Sequence, residues 1–332
     1  MPLSFFTGKN RIVNLVMKDH AIRFVEFKQN NPPVVSACGE HYLPSGIIKD
    51  GKIMDYGTLQ NILEQCLDEW KLSKREVRFL VPDPFVVIRK LSIPKDIKDD
   101  EIEGYLYLEL GTSIHLPFED PVFDAVVLGE SEEKREILLF AAPEEIVSEY
   151  SGLLEESKLR PIAADISALA LYRLYFLDER ARTKKGAVML LQFDLLTVNA
   201  SIFADNKPIF MRHIPVSGDI DDWEQGMSRL GNAELVYGGQ KEQYFQAFED
   251  SFTEIERVLD FYKYSLNEAQ EDISEIVICG DHPYLDEIIS RLENRVTASV
   301  IKLSRELNDP EQNGLLAPSY YAAAGLALKG VR

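Results

Sequence analysis

Cysteine is scarce in this sequence, and its positions exclude a disulfide framework. Cys38, Cys66 and Cys279 are the only three in 332 residues, and they lie far apart in apolar segments. An odd, scattered set of cysteines is typical of a protein from a reducing compartment. No pair has the spacing of metal ligands, so we expect neither disulfides nor a cysteine-bound metal.

Positive charge is also in short supply. The chain has 36 Lys and Arg against 55 Asp and Glu, a net charge of −19. A field of this sign repels nucleic-acid phosphates and anionic lipid. We therefore expect no nucleic-acid partner, and an association with a membrane only through a protein partner.

Long apolar runs are missing. The longest uncharged stretch, 314–328, has 15 residues and contains Pro318, so it is too short for a spanning helix. The apolar run at 2–6 is too short for a signal peptide. It is interpreted as a tail packed on the domain, and the alternative is a contact with a membrane or a partner. These features predict a cytoplasmic protein.

The common catalytic and metal motifs are absent as well. The sequence has no G-x-S-x-G elbow, no dinucleotide fingerprint and no H-E-x-x-H spacing among its five histidines. Gly8-Lys9 lacks the earlier glycine of a phosphate loop. The acidic group at 219–222 favours a helix start over a cation site. We predict no catalytic residue and no metal ligand.

The strongest positive feature is an internal repeat of three short strands. Each triple is followed by a helical segment, a further strand and another helix, which is typical of a duplicated α/β protein. The second set of strands is separated by a break at 194–195 and by a turn at 204–207 with good turn chemistry. The predicted strands are 12–16, 22–27 and 33–38 in the first copy, and 187–193, 198–203 and 208–214 in the second.

A strand–helix–strand–strand–helix segment interrupts the first copy. The predicted domains are a first half at 1–84 with 160–180, an inserted subdomain at 85–159, and a second half at 186–332 with its own insertion at about 217–268. Further expectations are a helix at 167–177 capped by Ser167, a polar connector at 179–185, a loop at 231–239 and one long helix at 241–268.

Six stretches, in their order and spacing, resemble the family of the type IV pilus biogenesis protein PilM, which is close in plan to the cell-division protein FtsA. The resemblance implies an α/β, actin-like (ribonuclease H-like) duplicated ATPase fold with an inserted FtsA-type small subdomain. The stretches are IRFVEF at 22–27, LVPDPFVVIRKLSIP at 80–94, EIEGYLYLELGTSIHLPFEDPVFDAVVL at 101–128, LLFAAPEEIVSEYSGLLEESKLRPIAADISALALYRL at 138–174, IERVLDFYKYSL at 255–266 and YYAAAGLALKG at 320–330.

The resemblance also implies three nucleotide-binding turns. In actin-like ATPases, an Asp-x-Gly turn in each half meets the phosphates and the metal, and a Gly-Gly turn lies against the adenosine. Here all three depart from the pattern. The matching positions are Val16 and Lys18 in the first turn, Gln192 and Asp194 in the second, and Gly280 and Asp281 at the adenosine turn.

Each departure weakens nucleotide binding. Lys18 and Asp194 add bulk where glycine would let the backbone approach phosphate, and Val16 and Gln192 remove the acids that would anchor Mg²⁺. Lys18 supplies one positive charge, so weak residual binding of ATP stays open. We predict a degenerate ATPase without an ATP or Mg²⁺ cofactor, and the alternative is an active ATPase with unconventional loops.

The family resemblance implies a role in pilus assembly through protein binding. It implies a cytoplasmic adaptor, peripheral to the inner face of the cell membrane, that captures the tail of a PilN-like inner-membrane protein and perhaps contacts the pilus motor ATPase. The alternative is a scaffold of type II secretion similar to GspL, which normally carries a membrane span. The residues assigned to the tail-binding groove are Pro82, Phe85, Val87, Tyr105, Leu108 and Ile114.

Overall fold

In the computed structural model, the described residues are 11–227, 233–266, 272–308 and 314–330; the apolar run at 2–6 and Gly8-Lys9 lie outside them. The first part of the chain forms strands β1 (Val13–Lys18), β2 (Ala21–Asn30), β3 (Pro33–Tyr42), β4 (Ile48–Lys49) and β5 (Lys52–Ile53), helix α1 (Tyr56–Trp70) and strand β6 (Glu76–Leu80). Next come a 3₁₀ turn (Asp83–Phe85), strand β7 (Val87–Pro94), helix α2 (Ile102–Glu109), strands β8 (Pro121–Glu130) and β9 (Lys134–Pro143), helix α3 (Glu144–Glu156), strand β10 (Arg160–Asp165) and helices α4 (Ser167–Tyr175) and α5 (Glu179–Thr183).

The remaining chain continues the alternation of strands and helices. It forms strands β11 (Val188–Phe193), β12 (Thr197–Ala204), β13 (Lys207–Pro215), β14 (Trp223–Met227) and β15 (Ala233–Tyr237), helices α6 (Lys241–Ala247) and α7 (Glu249–Phe261), a π-helical turn (Tyr262–Leu266), strand β16 (Glu275–Gly280), helix α8 (Leu285–Glu293), strand β17 (Ser299–Lys302) and helix α9 (Tyr321–Ala327).

Two five-stranded sheets carry the repeat that the sequence predicts. Their orders are β10-β6-β1-β2-β3 and β13-β12-β11-β16-β17. In each sheet the first three strands form an antiparallel meander. A later strand pairs in parallel with the first strand, and one more strand pairs in parallel with that later strand. Order and strand direction are the same in both, so the predicted duplication is confirmed.

The central strands are apolar because both of their faces are covered. Every residue of β11 is buried, as is every residue of β1 except Lys18, which is half-buried. At the predicted 204–207 turn, Asp205 and Asn206 adopt φ angles of 50° and 61°. Asp and Asn tolerate this left-handed region better than most residues, so they close the β12–β13 hairpin.

The inserted segment forms a smaller sheet of its own. Its order is β7-β9-β8, with both pairs antiparallel. Helix α2 packs on one face of this sheet through Ile102 and Leu106, which are buried against Ile93, Ile137 and Leu139. The strand–helix–strand–strand order expected for this segment is therefore confirmed.

The long helix predicted at 241–268 was wrong, because α6 and α7 are separated at Phe248. This residue has φ −76° and ψ −15° and is fully buried. Its ring centroid lies 5.7 Å from that of Tyr244 and 5.3 Å from that of Phe252. The apolar periodicity continues across the break, so only tertiary packing reveals it. The predicted end at 268 lies outside the described residues.

The loop predicted at 231–239 was also wrong. Strand β15 lies within it and pairs with β14, with Trp223 opposite Tyr237. Their ring centroids are 5.4 Å apart, and cross-strand aromatic pairs of this kind stabilise short ribbons. The glycines at 231, 238 and 239 predicted a loop because they flank a strand of only five residues.

Two helix starts differ from expectation. Ser167 does not cap α4: the cap position is Ile166, whose apolar side chain makes no capping hydrogen bond. The connector predicted at 179–185 contains the short helix α5. Its first turn is capped by Asp178, whose Oδ1 accepts a hydrogen bond of 2.9 Å from the Arg180 amide.

The described residues divide into two compact units. One is drawn from Met1–Leu80, Glu149–Phe176 and Ser304–Arg332, and the other from Val81–Ser148 and Leu177–Leu303. This division by compactness leaves the three-part domain division a prediction. All three cysteines are buried and none forms a disulfide. Among the described helices, none is long and apolar enough to cross a membrane.

Helices α4 and α9 approach each other closely in the first unit. A Cβ added to Gly325 would lie 2.0 Å from the carbonyl oxygen of Ala170, so only glycine fits. At the end of α4, the Arg305 guanidinium donates to the Leu174 carbonyl at 2.7 Å. A helix C-terminus favours such a cation, because its last carbonyls have no partner within the helix.

We predict that Gly325→Ala lowers the free energy of unfolding by about 1–3 kcal/mol, the usual range for overpacking a core. The matched control is Gly104→Ala in α2, where no atom lies within 4 Å of the added Cβ. This control should leave stability unchanged or raise it by up to about 1 kcal/mol. Denaturant unfolding measures both, and equal effects of the two substitutions would contradict the close approach of α4 and α9.

Candidate functional site

The first predicted phosphate turn is a tight hairpin. Lys18 at the end of β1 pairs with Ala21 at the start of β2, so only Asp19 and His20 form the turn. Val16 is buried in β1 opposite Arg23. An apolar side chain in the sheet core supplies no oxygen ligand, so this position cannot anchor a metal.

The carboxylate of Asp19, in this turn, is bound by backbone amides of a neighbouring turn. It accepts hydrogen bonds from the amides of Asp50, at 2.7 Å, and Gly51, at 3.0 Å. Both residues have positive φ in the β4–β5 turn, and Tyr150 donates to the Gly51 carbonyl at 3.0 Å. Successive amides of this kind also bind phosphate in other proteins, but here they hold the protein's own carboxylate. Sequence reasoning missed Asp19.

The second turn joins β11 to β12 and is closed by hydrogen bonds of buried side chains. The Asp194 amide donates to the Thr197 carbonyl at 2.9 Å. Gln192 is only 1% exposed, and its Nε2 donates to Asp194 Oδ2 at 2.6 Å. The position where actin-like ATPases carry a metal-binding acid therefore supplies a hydrogen-bond donor instead.

A second carboxylate, from Asp83, joins this cluster. Asp83 lies in the 3₁₀ turn before β7, and its Oδ2 accepts from Asn199 Nδ2 at 2.8 Å and from Gln192 Nε2 at 3.4 Å. Asn199 Oδ1 lies 2.7 Å from His213 Nδ1. Because the Asn199 amide nitrogen donates to Asp83, its oxygen is the acceptor, and His213 Nδ1 carries the proton.

In this arrangement, side-chain amides donate hydrogen bonds to two carboxylates. Buried polar groups are costly unless they are hydrogen-bonded. Gln192 Nε2 and Asn199 Nδ2 donate to the carboxylates, whereas Gln192 Oε1 is buried and has no hydrogen-bond partner among the described residues. Within the described ranges, no three His, Cys, Asp or Glu side chains are grouped as metal ligands. Sequence reasoning missed Asp83 and Asn199; the available signal was the acid in Pro82-Asp83-Pro84 directly after β6.

The adenosine turn keeps one glycine for a steric reason. Gly280 has φ +117°, and an added Cβ would lie 2.0 Å from the Phe193 carbonyl oxygen. Phe193 is also paired with Gly280 in the sheet and accepts from the His282 amide at 3.1 Å. Gly280 therefore serves the contact between β11 and β16. Asp281, in place of the second glycine, is half-buried.

Aromatic side chains pack beside this turn. His282 stacks on Tyr244, with ring centroids 5.5 Å apart, and Trp223 meets the edges of both rings at 5.5 Å and 5.3 Å. All three side chains are buried, and Tyr284 lies 5.5 Å from Trp223. The protein's own rings thus pack closely beside this turn.

The polar atoms of this aromatic cluster satisfy one another. The Tyr284 amide donates to His282 Nδ1 at 3.0 Å, so the ring proton is on Nε2, which faces the Tyr244 hydroxyl. Burial, with smaller effects of Tyr237 and Tyr284, raises the pKa of the Tyr244 phenol. The phenol therefore stays protonated and directs its hydrogen toward the Leu195 carbonyl, 3.5 Å away.

The residues assigned to the partner groove lie in different environments. Pro82, Phe85 and Val87 are half-buried around the start of the edge strand β7. Ile114 is 7% exposed and belongs to the core under α2, and Tyr105 packs against the same core. Leu108 is 75% exposed. The six residues thus do not share one exposed face.

Comparison with solved structures defines the class of protein. A structure described as the PilM-PilN type IV pilus biogenesis complex matches with a TM-score of 0.75 and 21% identity, covering 97% of this chain and 98% of that one. The ethanolamine utilization protein EutJ from Carboxydothermus hydrogenoformans matches with a TM-score of 0.50 and 10% identity, covering 96% of this chain and 89% of that one. MreB5 of Spiroplasma citri bound to ADP also matches with a TM-score of 0.50 and 10% identity, covering 96% and 95%. The chain has the actin-like ATPase fold, as predicted.

Comparison of the sequence with protein-family models shows the family to which the chain belongs. The model of the type IV pilus assembly protein PilM family matches residues 15–224, more than half of the chain. The chain belongs to this family, which confirms the resemblance found in its sequence. No curated protein matches the sequence significantly.

We predict that Gln192→Glu makes stability depend on divalent cations. The new carboxylate would stand beside Asp194 and Asp83, so like charges would be buried together and the melting temperature should fall by several degrees. Mg²⁺ or Ca²⁺ at about 10 mM should restore it, since three carboxylates suit hard cations.

Thermal melts with and without the cation measure this effect. The control, Gln192→Leu, should also lower the melting temperature but should not respond to the cation. A Gln192→Glu protein that is indifferent to both ions, or a wild type that responds equally, would contradict our description of the cluster.

Proposed function

We propose that this chain is a cytoplasmic, PilM-like adaptor of type IV pilus assembly that works without ATP hydrolysis. It binds the cytoplasmic tail of a PilN-like inner-membrane protein and so lies at the inner face of the membrane. The observation that carries the proposal is the cluster of buried Gln192 and Asp194 with half-buried Asp83, at the position where the family resemblance expects a phosphate turn.

Electrostatics at the second turn argues against ATP. Phosphate placed there would meet the Asp194 and Asp83 carboxylates, each of which accepts a hydrogen bond from a side-chain amide. Two unit charges of like sign about 4 Å apart repel by about 4 kcal/mol at an effective dielectric constant of about 20. Neither Val16 nor Gln192 supplies a carboxylate to recruit the metal that offsets such repulsion in active ATPases.

The predicted adenosine turn at Gly280 also argues against ATP binding. Adenine beside Gly280 would have to displace buried rings such as Trp223 and Tyr244. Both rings belong to the hydrophobic core, and the Tyr244 hydroxyl hydrogen-bonds to His282 Nε2. Moving them would expose large apolar surfaces at about 25 cal/mol per Å², which adds to the cost of binding.

A tail-binding role fits the surface near β7. The strand lies at one edge of the inserted sheet and is preceded by half-buried Pro82 and Phe85. An extended peptide can add to such an edge through main-chain hydrogen bonds, with apolar pockets reading alternate side chains. The solved complex of PilM with PilN supports a partner of this kind, and a pilus motor ATPase is a second candidate partner.

We predict that a synthetic peptide with the N-terminal tail sequence of the neighbouring PilN-like protein binds this chain equally well with and without Mg-ATP. Phe85→Ala should weaken that binding by about tenfold or more, as expected for an aromatic anchor. The matched control is Phe261→Ala, a partly exposed phenylalanine of the same unit.

Fluorescence anisotropy of the labelled tail peptide measures the affinity, and circular dichroism checks that both variants are folded. The proposal fails if the wild type does not bind the tail, or if tail binding requires ATP.

A further inference from the structure

Strand β3 lies at one edge of the first five-stranded sheet. Among the described residues it pairs with β2 alone, and no other described helix or strand makes an extended contact with it. The outer side of an edge strand presents main-chain amide and carbonyl groups, which can pair with a further strand. The sheet can therefore be extended at β3.

The other edge strands of the two five-stranded sheets carry residues that discourage such pairing. Strand β10 begins with Arg160 and Pro161, β13 carries Lys207 and Arg212, and β17 has only four residues and ends in Lys302. Charged side chains, prolines and short length all protect an edge from pairing. Strand β3 has ten residues, contains no lysine or arginine, and has its one proline at its first position. Of these four described edges, β3 is the least protected.

The second half of β3 is also regular and close to neutral. The segment Ala37–Tyr42 pairs with Ala21–Glu26 without interruption, and the register irregularities lie before Ala37. Glu40 is the only Asp or Glu of β3, and its carboxylate forms an ion pair with the Arg23 guanidinium, whose side chain is 3% exposed. This edge therefore presents little net charge, although the whole chain has a net charge of −19.

We infer that β3 pairs with β3 of a second copy of this chain, antiparallel across a two-fold axis. The two five-stranded sheets then continue as one sheet of ten strands. A two-fold contact uses the same surface on both copies, so each copy offers the other an edge of equal length. Two chains of net charge −19 repel each other, and contact is favoured where neither copy presents net charge. The inferred contact does not rest on the proposed tail binding near β7, which belongs to the other compact unit.

Sedimentation equilibrium of the full chain, from about 1 to 100 µM, measures this association. We expect a monomer–dimer equilibrium in which the dimer fraction rises with salt, because screening reduces the repulsion between two acidic chains. Hydrogen exchange of the main-chain amides in Ala37–Tyr42 should slow as the protein concentration is raised, since pairing protects them.

The variant Val34→Glu/His41→Glu adds two carboxylates to β3 at exposed positions. It should dimerise about tenfold more weakly or less, because like charges on paired strands repel. The charge-matched control is Ile162→Glu/Ala164→Glu, which changes two exposed residues of β10 at the opposite edge of the same sheet. The control should dimerise as the wild type does, and circular dichroism checks that both variants are folded.

A wild-type chain that stays monomeric throughout this concentration range would overturn the inference. So would a dimer that the β3 variant leaves intact, or one that the β10 control weakens equally. The proposed function can fail separately, since a β3 dimer that does not bind the PilN-like tail would defeat only the adaptor role.

Discussion

The half-buried carboxylate of Asp83 accepts hydrogen bonds from two side-chain amides, and the character of the second turn follows from this interaction. Asn199 lies 116 positions further along the chain, yet its amide nitrogen is 2.8 Å from Asp83 Oδ2. Gln192 links the same carboxylate to Asp194. These amides therefore connect the start of the inserted segment to strands β11 and β12.

The three predicted nucleotide turns share one physical solution. At or beside each, some polar or aromatic groups make contacts within the protein. The amides of the β4–β5 turn hold Asp19, the Gln192 amide lies beside two carboxylates, and buried rings pack beside Gly280. The actin-like strand order persists because it depends on the sheet core, whereas the turn chemistry is free to change.

Much of the fold could be predicted from the sequence, because its signals are local. Short apolar segments with turn residues between them predicted the two three-stranded meanders. The repetition of this pattern predicted that the fold is duplicated. The break at Phe248 could not be predicted, since apolar residues keep helical spacing on both sides of it. The strand at Ala233–Tyr237 was hidden by flanking glycines, and only its pairing with β14 reveals it.

The site was predictable only in part, for a related reason. The turn positions Val16, Gln192 and Gly280 follow from family resemblance, because each comes at the end of a recognisable strand. The partners of these positions come from distant segments, so the contact of Asp83 with Asn199 leaves no local pattern. Tyr244 and Trp223 likewise read as ordinary core residues until the structure places them beside His282.

Calorimetric titration of the full chain with Mg-ATP tests the central claim most directly. If the protein's own side chains occupy the three turns, the titration should show no saturable heat beyond that of dilution. Saturable binding at micromolar concentration, accompanied by release of phosphate, would contradict the account.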